Sequence, residues 1–342
     1  MLLKKLSEAS GVASRENEVR EIIRDDISDH VEDIYTDVMG NLIACRSTEK
    51  SGPVTMLTAH MDEVGLMITN IRKDGLLDFM KVGGIDKRIL VSKVVNVGSD
   101  GIKGVIGSKA IHLQKKSERK KPIDIDNLYI DIGATSRSEA KKVVNAGDTA
   151  VFESGFEKLD NDMVLGKAFD DRTGCALLTE AAKIEPRVPT YYVFTVQEEV
   201  GLRGARQAAY SIDPDISIVV EGTTAADVPD NEEHRYSTSV GEGPALTIRD
   251  RSLISSRPLL QLLIETAERG NIPYQFRRTT AGGNDAGVIH LTREGIPSAV
   301  ISVPCRYIHS PVAMMDLNDY NSSADLLKKF ISETIEEGKL NK

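Results

Sequence analysis

Four apolar runs leave few folds open to this chain: "VTMLTA" from Val54, "TYYVFTVQ" from Thr190, "DISIVVE" from Asp215 and "SAVISVP" from Ser298. A strand with one wet face alternates apolar and polar residues; a continuous run fits a strand covered on both sides. Between and after these runs lie helical patterns, "DRTGCALLTEAAKI" from Asp171, "RGARQAAY" from Arg203, "PLLQLLIETAERG" from Pro258 and "NDAGVIHLTREG" from Asn284. "PYQFRR" from Pro273 reads as a further strand, and an amphipathic helix closes the chain from Ala324 to Glu336. Such alternation predicts an α/β fold, a mainly parallel sheet flanked by helices.

The N-terminal part begins the same way. A helical spacing in "ENEVREIIRDDI" precedes a strand pair, "DIYTDVM" and "NLIACRS", joined around Gly40-Asn41. From about Met67 the texture changes to short runs rich in Val, Ile, Gly and Lys, such as "KVVNVGSDGIKGVIGS", with one helix near "SRSEAKKVVNA". At 342 residues the chain exceeds the usual span of one domain. The expected organisation is therefore a discontinuous α/β domain, residues 1–66 and 164–342, interrupted by a small β-rich domain over 67–163.

Ionisable residues follow the apolar runs. They are His60, Asp62 and Glu63 after "VTMLTA", Asp170-Asp171 in "GKAFDDRTG", Glu198-Glu199 after "TYYVFTVQ", Glu221 after "DISIVV", and His309 beyond "SAVISVP". Open α/β sheets bind ligands at the carboxyl ends of their strands, so residues placed there carry functional weight. Imidazole and carboxylate converging from several strands suit a divalent transition metal, zinc above all. Two histidines with three carboxylates exceed one tetrahedral ion that keeps an open position, and suit a pair of ions about 3.5–4 Å apart with one carboxylate bridging. In "HMD" the residues two apart face the same way, so Asp62 can orient the His60 ring. Of the adjacent Glu198 and Glu199, one can reach a metal while the other faces a water as general base. Asp171 has a second reading as the N-cap of the helix from Arg172. Glu63 is read as supporting or structural, and His30, His112, His234 and His290 lack a ligand context. "GGNDAG" fits a turn opening a helix at Asn284 as well as substrate contact through Asp285.

The motifs "AHMDEVG", "GKAFDDRTG", "QEEVGLRGA", "VVEGTTAADVP", "GGNDAG" and "RYIHSP" resemble those of metallopeptidase family forty-two, the self-compartmentalising dinuclear metallo-aminopeptidases, some labelled endoglucanase M. The resemblance runs from about Leu6 to the closing helix, with the motifs in family order. It implies a peptidase that removes N-terminal residues from short peptides and binds two divalent ions, Zn2+ or Co2+. It also implies roles: His60 and Glu221 on one metal, Glu199 and His309 on the other, Asp170 bridging, Glu198 as general base and Asp62 behind His60. Many relatives carry Asp where this chain has Glu221. The family further implies a tetrahedral dodecamer in which the β-rich insertion makes subunit contacts.

Composition narrows the partners. A net charge of −9 without a basic patch interleaved with aromatics argues against nucleic acid. The one basic run, Lys115 to Lys121, reads as an exposed loop. No stretch approaches the ~20 apolar residues that span a bilayer. Cys45, Cys175 and Cys305 are far apart in apolar contexts and fit buried free thiols in a reducing cytoplasm. A glycoside hydrolase is the alternative from a different class, but the chain has no Trp and 5% aromatics to form a sugar platform, and consecutive glutamates do not straddle a bond. A metallo-deacylase or carboxypeptidase, or an inactive metal-binding shell, are the remaining alternatives. Arg249 and Arg251 would favour an acidic substrate side chain if they line the pocket, and otherwise pair with carboxylates such as Asp250.

Overall fold

A computed structural model describes residues 1–229 and 231–335. Its strands in the first part are β1 (Asp33–Thr36), β2 (Leu42–Arg46) and β3 (Thr55–His60); β4 (Gly65–Ile71), β5 (Leu77–Val82), β6 (Val94–Val97), β7 (Ile102–Ser108), β8 (Leu128–Asp131) and β9 (Thr149–Phe152) follow. The remainder are β10 (Glu157–Lys158), β11 (Met163–Gly166), β12 (Thr190–Thr195), β13 (Ile216–Thr224), β14 (Ala245–Leu246), β15 (Gln275–Phe276), β16 (Ser298–Arg306) and β17 (Ala313–Asp316). Helices are α1 (Leu2–Glu8), α2 (Asn17–Ile27), α3 (Arg137–Ala140), α4 (Phe169–Ala182), α5 (Arg203–Ile212), α6 (Arg257–Gly270), α7 (Ala286–Ile289) and α8 (Leu317–Lys329).

The four continuous apolar runs become β12, β3, β13 and β16, adjacent and mutually parallel. All six residues of β3 are buried, as its composition requires of a strand with helices on both faces. The flanking strands run antiparallel: β2 against β12 on one side, β17 and β11 beyond β16 on the other. The main core lies on the face covered by α1, α2, α4, α6 and α8, and a second apolar cluster under α5 and α7 fills the other face.

Strands β4 to β9 close into a separate barrel with its own core, including Leu66, Ile68, Leu77, Val95, Ile106 and Ile130. Closure leaves short, Gly-punctuated strands without free edges. The barrel ends at Phe152, and β10 and β11 then rejoin the large sheet.

Several elements differ in extent from the sequence reading. The helix expected near "SRSEAKKVVNA" is one turn, Arg137–Ala140, and "PYQFRR" yields only Gln275–Phe276 as strand. "NDAGVIHLTREG" gives α7 alone, because Gly295 at φ 102° and Arg293 at φ 52° turn the chain away. The closing helix begins at Leu317 rather than Ala324, since the Asp316 carboxylate accepts the Asn318 N–H and caps it there; Glu336 lies outside the described residues. The three cysteines are free and buried, and residues 115–121 are exposed.

Candidate metal centre

Because β3, β12, β13 and β16 are parallel, their carboxyl ends lie on one edge of the sheet. Register pairs His60 with Thr195 and Glu221 with Ser302, so residues 60 to 309 that follow or end these strands arrive together. Across from them stands the head of α4, where Asp170 and Asp171 have non-helical backbone angles. Gly222 permits that approach: a Cβ there would lie 2.8 Å from the Phe169 carbonyl oxygen and 3.0 Å from Asp170 N.

Asp170 sits between the two imidazoles. Its Oδ1 is 3.3 Å from His60 Nε2 and its Oδ2 3.2 Å from His309 Nε2. His309 Nε2 is also 3.2 Å from Glu199 Oε1, and ligand atoms of Asp170, Glu199 and His309 all lie within 4.8 Å of one another. Glu199 Oε1 is buried, and its ion-pair contact with His309 lacks hydrogen-bond geometry. The three side chains stand close enough to offer ligand atoms to one cation. Glu198 Oε2 lies 3.9 Å from His60 Nε2. Glu221 is held through its Oε1, which accepts from Asn284 Nδ2 at 3.1 Å and from the Ser302 hydroxyl at 3.2 Å.

Asp171 is turned elsewhere. Its Oδ1 accepts the Gly174 N–H at 2.9 Å, the pattern of an N-cap, and its Oδ2 accepts the His60 N–H at 2.9 Å. Asp62 holds the next loop: its two oxygens take the N–H groups of Glu198 (2.9 Å) and Glu199 (3.1 Å). Nearest to His60 Nδ1 is the Asp62 carbonyl oxygen at 3.0 Å, with the carboxylate Oδ1 at 3.6 Å. Asp62 therefore orients the imidazole chiefly through its backbone, because its carboxylate is committed to the glutamate loop. The buried Glu16 adds a contact to the Gln197 N–H at 3.3 Å. His30, His112 and His234 are exposed, and His290 Nδ1 meets the Ala286 carbonyl within its own helix.

The electrostatics follow from burial of many acids beside few cations. Burial pushes the Glu198 carboxyl well above its ordinary range and lifts Glu199 despite the nearby His309. Burial, with the Asp170 charge beside it, moves Glu221 up to about 8. Burial also raises Asp170, but His309 and His60 outweigh it and hold that carboxyl below the usual values. Both imidazoles respond in kind. Burial lowers His309, but the carboxylates of Asp170 and Glu199 raise it to about 11; Glu198 and Asp170 carry His60 well above its ordinary value against the same penalty. Four buried or partly buried carboxylates, Asp170, Glu198, Glu199 and Glu221, gathered around two imidazoles suit divalent cations.

A cavity of about 490 Å3 opens beside the cluster, lined by Asp170, Glu198, Glu221 and His309 together with Arg277 and Thr279. Arg235 also lines it, whereas Arg249 and Arg251 do not; Arg277 Nη1 stands 3.8 Å from Asp250. Arg277 escaped the sequence reading because "PYQFRR" looks like an ordinary strand; its only signal was two adjacent arginines in "RRTTAGG".

Fold and cluster together define a peptide hydrolase of the α/β type with an inserted barrel. The family described as M42 glutamyl aminopeptidase matches residues 40–326, and the chain belongs to it. It is 45% identical to a putative aminopeptidase of Acetivibrio thermocellus, over 96% of this chain and 97% of that one. A TET aminopeptidase from the marine sediment archaeon Thaumarchaeota archaeon SCGC AB-539-E09 superposes with a TM-score of 0.93 at 38% identity, covering 97% of this chain and 95% of the other. The TET1 peptidase of Pyrococcus horikoshii, described as assembling into a tetrahedron or a large octahedral shell, gives 0.86 at 34% identity with 97% and 98% covered.

Proposed function

We propose that this chain is a metal-dependent aminopeptidase that removes the N-terminal residue of short peptides. The observation that carries the reading is the convergence of His309, Asp170 and Glu199 on one point, with His60 on the other oxygen of Asp170. His60 and Glu221 would hold one divalent ion and Glu199 and His309 the other, with Asp170 serving both. The two ions, zinc or cobalt, would polarise the scissile carbonyl and acidify water at the site.

The chain's own groups supply the rest. Glu198, raised by burial, takes the proton from the attacking water and passes it to the departing amine. Asp62 keeps Glu198 and Glu199 aimed in different directions through their backbone N–H groups. The cavity beyond the cluster carries two guanidinium groups and several hydroxyls, and its carboxylates are those of the cluster. That wall favours an acidic N-terminal side chain. The glycosidase alternative loses ground: Glu198 and Glu199 both lie within reach of the imidazoles instead of facing each other across a cleft.

By family likeness the chain would form a homo-oligomer, a tetrahedral dodecamer, with residues 67–163 making subunit contacts. The buried free thiols suit a cytoplasmic location, and no helix among the described residues is long and apolar enough to cross a membrane. Replacing Glu198→Gln tests the mechanism. Two-metal uptake should persist while turnover of aminoacyl chromogenic substrates falls by about 10²–10⁴-fold. Parental turnover would show that Glu198 is not the base.

A further inference from the structure

Glu63, Lys167 and Arg172 flank the centre in sequence: Glu63 follows Asp62, and the cations stand three residues before and two after Asp170. They are buried, with 2%, 3% and 0% of their surfaces exposed. The Glu63 carboxylate receives Lys167 Nζ at 2.7 and 2.8 Å, Arg172 Nη2 at 3.1 Å and the Gly11 N–H at 3.1 Å. The cations also reach back to the start of the chain. Lys167 Nζ donates to the Ala9 carbonyl at 2.7 Å, and Arg172 Nη1 to the carbonyls of Leu6 (2.5 Å) and Ala9 (3.1 Å). Gly11 lets the network close, since a Cβ there would lie 2.6 Å from Arg172 Nη2 and 2.9 Å from Val19 Cγ2. A cavity of about 10 Å3, room for at most one water, is lined jointly by Glu63, Lys167, Asp170 and His309.

Desolvating three ionised groups costs several kcal/mol for each, and apolar side chains of like volume would pack α1 at least as well. Apolar contacts lack direction, however. Here directed bonds join the segment after β3, which follows His60 and contains Asp62, to the head of α4, which carries Asp170. We propose that the Glu63–Lys167–Arg172 network, closed by residues Leu6–Gly11, is a positioning device that sets the spacing of His60 and Asp170 and so the affinity for divalent cations. This inference rests on the proposed metal centre. Charge alone would act in the opposite sense, because the network carries one more positive than negative group and repels a nearby cation. The sign of the effect therefore separates positioning from electrostatics.

The test uses the full chain, stripped with chelator and titrated by calorimetry with zinc and, separately, with cobalt. In Lys167→Met the dissociation constant should rise by about 10- to 100-fold, the range for removing a group that orients a ligand. At saturating metal kcat should return to the parental value with KM unchanged. Gly11→Ala displaces Arg172 without touching any proposed ligand; it should weaken metal binding in the same direction, and it serves if Lys167→Met does not fold. Unchanged or tighter metal affinity in a folded variant overturns the proposal, including the case in which only the melting temperature falls. A parent chain that takes up neither metal overturns the metal centre itself, and this inference with it.

Discussion

Replacing Asp62→Asn removes one acceptor from a group that does two jobs at once. The side chain is fully buried, and its oxygens receive the N–H groups of Glu198 and Glu199 at 2.9 and 3.1 Å. Asparagine has nearly the same shape but offers one oxygen and one NH2, so one loop N–H must face a donor. A hydrogen bond to a charged group contributes about 1.5–3 kcal/mol. The loop bears both Glu198 and Glu199, so the displacement falls on the reacting geometry. At about 1.36 kcal/mol per decade in rate, kcat/KM should drop by roughly 10- to 100-fold. The assay is hydrolysis of an aminoacyl p-nitroanilide at saturating zinc, with circular dichroism to verify folding. A folded variant with parental kcat/KM would refute the argument that this carboxylate aims the glutamate pair.

Two further outcomes are expected. His60 and His309 hold protons above their ordinary pKa values, yet an imidazole must be neutral to bind a metal, so metal uptake near pH 7 should release protons. Affinity should rise with pH and weaken as pH falls. Calorimetry in two buffers of different ionisation enthalpy measures the release, and buffer-independent heats would contradict it. Replacing Arg277→Met should lower kcat/KM for Glu- and Asp-aminoacyl substrates relative to Leu- and Lys-aminoacyl ones, and an unchanged ratio would remove Arg277 from substrate selection.

The cluster was legible wherever an ionisable residue sits at or just beyond the end of an apolar strand. His60, Glu198, Glu199, Glu221 and His309 follow runs whose burial is fixed by composition, and parallel pairing brings those ends to one edge. The residues of the Glu63 network gave no such signal. Lys167 and Arg172 look like ordinary surface charges in "GKAFDDRTG", yet both are buried and donate to carbonyls at the end of α1. The choice between Asp170 and Asp171 was likewise closed to sequence, because it depends on backbone angles at the head of α4 that place one carboxylate between imidazoles and the other on N–H groups. Element lengths failed where tertiary contacts overrode propensity. The two-residue strands β14 and β15 exist because β14 pairs with β16 and β15 pairs with β14, not because their residues favour extension.

The barrel also bears on how the centre comes together during folding. His60 and Asp170 meet although 110 residues separate them. Strand β4 pairs with β9, however, placing Leu66 beside Ala150. Once that ring is tied, the open chain between these two residues shortens to about 26 residues, which lowers the entropic cost of bringing them together by about 1 kcal/mol. An insertion that separates the halves of the sheet in sequence works as a clasp that draws them together.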